Sequence, residues 1–458
     1  MKRFLWMGFV LFVYVVCSGC GDTFRPIIIP NPPQFPNPAA SHTVVSINDN
    51  GTLVSGTAMV IDVSGDSEAS VANVGLAPVH AVQQTGSQVL VANHSVTGAA
   101  ADSLTKLNFS GTVIFSTNTI SLPANSAPNF VATTETNQAY VLMPNYLDPT
   151  TNAVVPSIQV VNTSANNLGA TIPVGNNPDA MAETPNAQKL YVANQADNTI
   201  SGFNTNPVEH SLSPRTVNGS FNGPLWLVAR SDSQRLYVLN GNGIVSTVDT
   251  TSTLGPDNMI DASVNVPGAA YMLYDGNLNR LYIPWFNQST MLGQLTILDV
   301  SQSVPAVLAG GPITIPTVAP SSRGASDPCS TTSPQPLTVA AVAALPDGSR
   351  AYVGAYYEDA SDNFCPQVTV VNAQSYAIKS SIAIPGFAAY NAFCASTRFR
   401  IMMAAGGDSS RAYLSSCDGG NVSFIDTSTD TYILNMPAPI GSRLNNPPQN
   451  PVFLFAGP

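Results

Sequence analysis

Lys189-Leu190-Tyr191-Val192-Ala193-Asn194, then after three residues Asn198-Thr199-Ile200-Ser201-Gly202-Phe203-Asn204, is the stretch on which the reading of this chain turns. Two runs rich in β-branched and aromatic residues, separated by a short polar gap, describe a β-hairpin. The first run returns as Val89–Asn93, Ala139–Val141, Leu236–Val238, Leu281–Ile283, Ala351–Val353 and Ala412–Leu414. Self-similarity at a period of roughly 40 to 50 residues indicates a propeller, solenoid or array.

Each unit divides into four short strands, A to D. Strand A often follows a proline: Pro78, Pro128, Pro178, Pro224, Pro267, Pro336 and Pro451. Strand B is the Tyr-Val strand. Strand C ends on an Asx residue: Asp62, Asn108, Asn162, Asn204, Asp249, Asp299, Asn372 and Asp426. An Asx side chain there accepts a hydrogen bond from the backbone two residues on and closes the turn into strand D. Eight such ends predict an all-β, eight-bladed β-propeller; seven blades is the alternative if one of the first two units is not a true blade. Asn450–Phe455 reads as an orphan strand A, while His42–Ile47, Ala58–Val63 and Ala69–Val74 read as B, C and D. One blade built from both chain ends would close the ring and remove exposed sheet edges.

Composition agrees. Of 458 residues only 43 are charged, with 33 Gly and 37 Pro, which suits short strands and turns. The formal net charge of −11 excludes nucleic acid as a partner class, because phosphate binding needs a basic surface.

The first forty residues read as an address. Met1-Lys2-Arg3 is a basic start, Phe4–Gly19 is uncharged, and Cys17-Ser18-Gly19-Cys20 resembles a bacterial lipobox with Cys20 as the acylated residue. Cys17 stands where a lipobox usually has Leu, so ordinary cleavage or a retained anchor stays open. Pro26–Pro38 carries six prolines in thirteen residues. At about 3.1 Å per residue such a spacer reaches roughly 40 Å. The expected division is a signal peptide over 1–19, a tether over 20–41 and a single propeller over 42–458, exported to the bacterial cell envelope and touching membrane only through lipid.

The repeats resemble those of the YVTN-repeat family of bacterial β-propellers, and signal, tether and repeats together are similar to exported propeller lipoproteins. The resemblance covers about residues 42–458 and implies a fold more than a function. Related propellers include lactonases, quinone-dependent dehydrogenases and the haem propeller of nitrite reductase. The four histidines (His42, His80, His94 and His210) and the three tryptophans (Trp6, Trp226 and Trp285) fit neither a haem nor a quinone site well, so no cofactor is expected. No Cys or His spacing suggests a metal site.

Candidate site residues fall in three places. His80 stands two residues after Pro78, with Phe130, Ala180, Trp226, Ala269, Thr338 and Phe453 at the comparable place; if these side chains face the axis, His80 and Trp226 line the channel mouth. His80 with Asp179 would be the core of a lactonase-like hydrolase, the alternative function. Lys189, Arg235, Arg280, Arg350 and Arg411 follow the A–B turns and are read first as solvated charges, second as an anion site. The long loops are B–C and D–A loops, which emerge on one face, and they carry Tyr146, Trp285, Phe286, Tyr356, Tyr357 and Asp359. Long loops on a rigid scaffold commonly form a binding face, so the favoured function is a binding scaffold without catalysis, its target a protein, peptide or polysaccharide. Cys329, Cys365, Cys394 and Cys417 suggest disulfides in an exported chain. Four cysteines allow three connectivities; because D–A and B–C loops meet on one face, Cys329–Cys365 and Cys394–Cys417 are the expected pairs.

Overall fold

The computed structural model describes residues 42–457, apart from 52–53, 85–86, 95–101, 321, 325–326, 360, 387 and 440–449. The expected signal, Cys20 and the proline-rich tether therefore lie outside the described residues.

Eight sheets follow one another along the chain, each built on four principal antiparallel strands, and in blade 5 the short strand Val217–Asn218 adds in parallel to Asp257–Asn265. Blade 1 joins the chain ends: Asn450–Ala456 is its strand A, and Thr43–Asp49, Ser55–Asp62 and Ser67–Leu76 are B, C and D. The register pairs Phe453 with Ile47 and Phe455 with Val45, with one slip between Ile47 and Asn48. The ring is thus closed as expected, and with eight blades rather than seven. Blades 2 to 8 begin with strands A at Pro78–Gln84, Phe130–Ala132, Pro178–Glu183, Pro224–Ala229, Leu273–Asp275, Thr338–Ala344 and Ile401–Ala405.

The apolar runs of strand B are buried on both faces, as in Gln138–Met143 and Lys189–Asn194, because neighbouring blades cover them. Tyr140, Tyr191, Tyr237, Tyr282, Tyr352 and Tyr413, the Tyr of each Tyr-Val pair, are fully buried between blades. Outer strands such as Val113–Ser121 and Asn167–Pro173 are mostly exposed.

Six of the eight Asx residues close the C–D turn as the sequence implies. The backbone N–H groups of Ser64, Ser164, Thr251, Ser301, Gln374 and Ser428 donate to Asp62, Asn162, Asp249, Asp299, Asn372 and Asp426 at 2.7–3.0 Å. Two depart. Strand C of blade 4 runs on to Asn206, which takes the turn bond from Val208, leaving Asn204 to accept from Arg215. Asn108 instead ties strands together, bonding Gln88, Ser116 and Asn118.

The two disulfides are Cys329–Cys365 and Cys394–Cys417, with Cα separations of 5.8 and 5.6 Å. Both pairs match the expected connectivity, and all four cysteines are buried.

Candidate functional site

The mouth of the channel, on the face of the D–A and B–C loops, is floored by rings from the starts of strands A. His80 stacks on Phe130 at 3.8 Å and meets Phe453 at 4.6 Å. Phe130 packs edge-on to Trp226 at 5.8 Å, and Trp226 to Tyr271 at 5.2 Å. Tyr271 and the ladder position Ala341, rather than the expected Ala269 and Thr338, take the places equivalent to His80 in blades 6 and 7, because strand A starts later there. The sixth ring is Phe399, contributed by the loop between blades 7 and 8 and packed on Trp226, Tyr271 and Phe453 at 5.5–5.8 Å.

That loop reaches across the mouth. It carries the short helix α1 (Ala392–Ser396), capped by Asn391, whose side chain accepts from the Phe393 N–H. Cys394 of this helix is bonded to Cys417, at the end of strand B of blade 8, which fixes the loop at its root. Beyond the helix, Arg398 crosses to the opposite side of the ring, where it donates to both carboxylate oxygens of Asp179 at 3.2 and 3.3 Å and to the carbonyls of Asp179 and Leu225 at 2.8 and 2.7 Å. Its guanidinium also lies 4.7 Å from the Trp226 ring centre, an arrangement favoured by the ring quadrupole. Residues 388–400 thus form a strap from blades 7 and 8 to blades 4 and 5.

Beside the strap lies a cleft of about 620 Å³. Its apolar wall includes Pro78, Leu225, Phe393, Phe399 and Val452, and its polar groups include Asp49, His94, Asn129, Asp179, Gln195 and Arg398. Burial holds the carboxyls of Asp49 and Asp179 above the ordinary aspartate range, Asp179 even against the pull of Arg398. His94 bonds Asp102 at 3.2 Å. Among the described residues no three His, Cys, Asp or Glu side chains gather as a metal site.

The sequence candidates distribute unevenly over this geometry. His80 and Trp226 do line the mouth, but both are buried in its floor. Burial, aided by Arg398, pushes the His80 imidazole down to about 3, so it is neutral at any physiological pH; its Nδ1 accepts from the Val131 N–H at 3.4 Å. Asp179, its supposed partner in hydrolysis, is bound by Arg398.

Trp285 and Tyr357 are not exposed loop anchors. Strands B of blades 6 and 7 run on through Asn287 and Glu358, so the presumed loop tips belong to the ladder. Trp285 is buried and donates to Thr296 Oγ1 at 3.0 Å. Tyr357 is buried and donates to the Cys329 carbonyl, with Arg323 alongside. Tyr356 is half-buried, its ring tilted against Phe364 at 4.8 Å and lying 4.9 Å from Arg400. Asp359 is spent on its own turn, accepting from Ser361 and Asn363. Phe286 and Tyr146 are half-buried at the rim, Tyr146 against the blade 2–3 core. None of these six lines the cleft; Arg398, Phe399 and Phe393, which do, went unnoticed because no local pattern marks them, Cys394 being the one nearby signal.

The basic residues on the opposite face do not form an open anion ring. Four of the five latch one blade to the next. Lys189 donates to the Thr250 and Ser252 carbonyls and to Asp257 in blade 5. Arg280 reaches the Ala373 carbonyl in blade 7, Arg350 reaches Thr427 and Asp430 in blade 8, and Arg411 pairs with Asp66 in blade 1. Arg235 stays with Asp249 of its own blade, and Arg230 makes the latch to blade 6 instead, donating to the Val300 and Gln302 carbonyls. The carbonyls of the next C–D turn are the partners these cations satisfy.

No protein-family model matches the sequence, and no curated protein does. Solved structures match over most of the chain, and they are β-propellers. Dihydro-heme d1 dehydrogenase NirN, solved in complex with DHE, is 10% identical with a TM-score of 0.59, covering 91% of this chain and 77% of its own. AztD from Citrobacter koseri is 11% identical with a TM-score of 0.55, covering 91% and 97%. A functionally unknown protein from Desulfotomaculum acetoxidans is 10% identical with a TM-score of 0.50, covering 86% and 95%. Likeness at such identities shows a common fold.

Proposed function

We infer that this chain is an exported propeller that binds a ligand at the mouth cleft and does no chemistry on it. The observation that carries the reading is the strap: a disulfide-rooted loop spans the ring and places Arg398 and Phe399 over an aromatic floor, beside a cleft of about 620 Å³. That volume is in the range of small-molecule sites, and an apolar wall with a few convergent polar groups is their usual composition. A strap held at both ends loses little further freedom when a ligand seats beneath it. The reading narrows the broader expectation of a protein, peptide or polysaccharide target to a compact group that enters the cleft. The hydrolase alternative gains nothing from the geometry, since His80 is a neutral ring in the floor and Asp179 serves Arg398.

Two disulfides favour an oxidising compartment. Together with the lipobox-like Cys17–Cys20 and the proline-rich stretch, they support an exported, lipid-attached YVTN-type propeller, tethered over 20–41 and folded over 42–458.

The test is retention. The purified chain is equilibrated with the small-molecule extract of the cells that make it, washed, and unfolded to release what it holds. The reading expects a retained compound that shifts Trp226 emission in a Trp6→Phe, Trp285→Phe background and is lost in Phe399→Ala. Retained compounds that leave Trp226 emission unmoved would reject the mouth as the site.

A further inference from the structure

Among the described residues, the charges around the cleft do not balance. Asp179 is neutralised by Arg398 at 3.2 Å, and Asp102, just behind the wall, is hydrogen-bonded to His94 at 3.2 Å. Asp49 is different. It ends strand B of blade 1, lines the cleft, and is only 3% exposed. Its Oδ1 accepts from the Gly51 N–H at 2.9 Å, and among the described residues no Lys, Arg or His pairs with it. Its pKa is held up by burial and drawn back by the backbone N–H groups of Gly51 and Asn50. A buried carboxylate without a counter-charge is costly, and such groups ordinarily have a cation supplied to them.

We propose that the mouth cleft binds an organic cation: an aminium group paired with the Asp49 carboxylate, on an apolar body lying against Phe393, Phe399 and Val452. The inference rests on the mouth being the binding site, and adds the class of ligand. A strongly hydrated inorganic ion is the poorer guest, because among the described residues no three His, Cys, Asp or Glu side chains gather to hold one. The net charge of −11 draws cations toward the protein from a distance. An anionic ligand would instead have to displace Asp179 from Arg398 and stand beside Asp49.

The test uses three probes of one shape on the full chain: 4-phenylbutylamine, 4-phenylbutan-1-ol and 4-phenylbutyrate. Calorimetry on the wild-type protein reads affinity, and Trp226 emission in a Trp6→Phe, Trp285→Phe chain reads position. The amine is expected to bind at least about tenfold tighter than the alcohol, as a charge-assisted hydrogen bond would give, and the butyrate weakest of the three. Asp49→Asn keeps an acceptor for the Gly51 N–H and should bring the amine down to the alcohol. Equal affinities for amine and alcohol, or an amine indifferent to Asp49→Asn, overturn the cation assignment; if Trp226 still responds, the mouth reading survives alone. Binding that leaves Trp226 unmoved removes both, and no binding of any probe overturns the assignment. Arg443 is the one cation in the undescribed stretch 440–449; if Arg443→Ala tightens amine binding, the chain supplies its own counter-charge and the assignment falls.

Discussion

Removing residues 450–458 deletes strand A of blade 1 and should unfold most of the protein. The strand pairs with Val44–Asp49 and buries Val452, Phe453 and Leu454. At about 1.5–3 kcal/mol for each large apolar side chain, the loss is roughly 5–9 kcal/mol, against a total stability of order 5–15 kcal/mol for a folded protein. The deletion also bares the edge of Thr43–Asp49 and takes Phe453 from beneath His80 and Phe399, at 4.6 and 5.5 Å. Urea unfolding followed by far-UV circular dichroism reads the effect. Phe453→Ala serves as a milder version, expected to cost about 3–5 kcal/mol. A truncated chain with the same urea midpoint as the full one would refute the closure of the ring by its two ends.

Other outcomes follow from single groups. Cys394→Ser with Cys417→Ser should cost about 3 kcal/mol for a closed loop of this length and expose Trp226 to acrylamide quenching, since the strap loses its root. Burial raises the Glu183 carboxyl from 4.5 to about 7, so the folded state binds the proton more tightly than the unfolded. Stability should therefore be greatest below pH 4.5 as far as this group is concerned and fall by up to about 3 kcal/mol as pH rises to 7; Glu183→Gln should remove that slope in denaturant titrations at fixed pH. His80→Phe should leave thermal stability within about 1 kcal/mol, the value of the bond from Val131, and a large loss would mean that the imidazole does more than fill the floor. Lys189→Met should cost about 1–3 kcal/mol by stripping the Thr250 and Ser252 carbonyls of their donor, measured by the same unfolding assay.

The sequence made the blades legible because each Tyr-Val strand and each Asx turn is a local signal repeated at a steady interval. Ring closure and disulfide pairing followed from where those units begin and end. The site was less legible for two physical reasons. Trp285 and Tyr357 looked like loop residues, but the hairpins of blades 6 and 7 are longer than the rest. Once the ladder continues, alternation along the strand decides which way a side chain points. Arg398 and Phe399 act far from their neighbours in sequence, meeting Asp179 and Trp226 across the ring, and no local pattern encodes a contact of that kind. The basic residues were found at the right positions with the wrong role, because the carbonyls they satisfy belong to the next blade.

Filling the cleft tests the central claim most directly. Ala270 is exposed and lines the cleft without belonging to a strand. Ala270→Trp should occupy the space beneath the strap, leaving the melting temperature unchanged while retention of the compound held by the wild-type chain is lost. Undiminished retention in folded Ala270→Trp protein would contradict binding at the mouth.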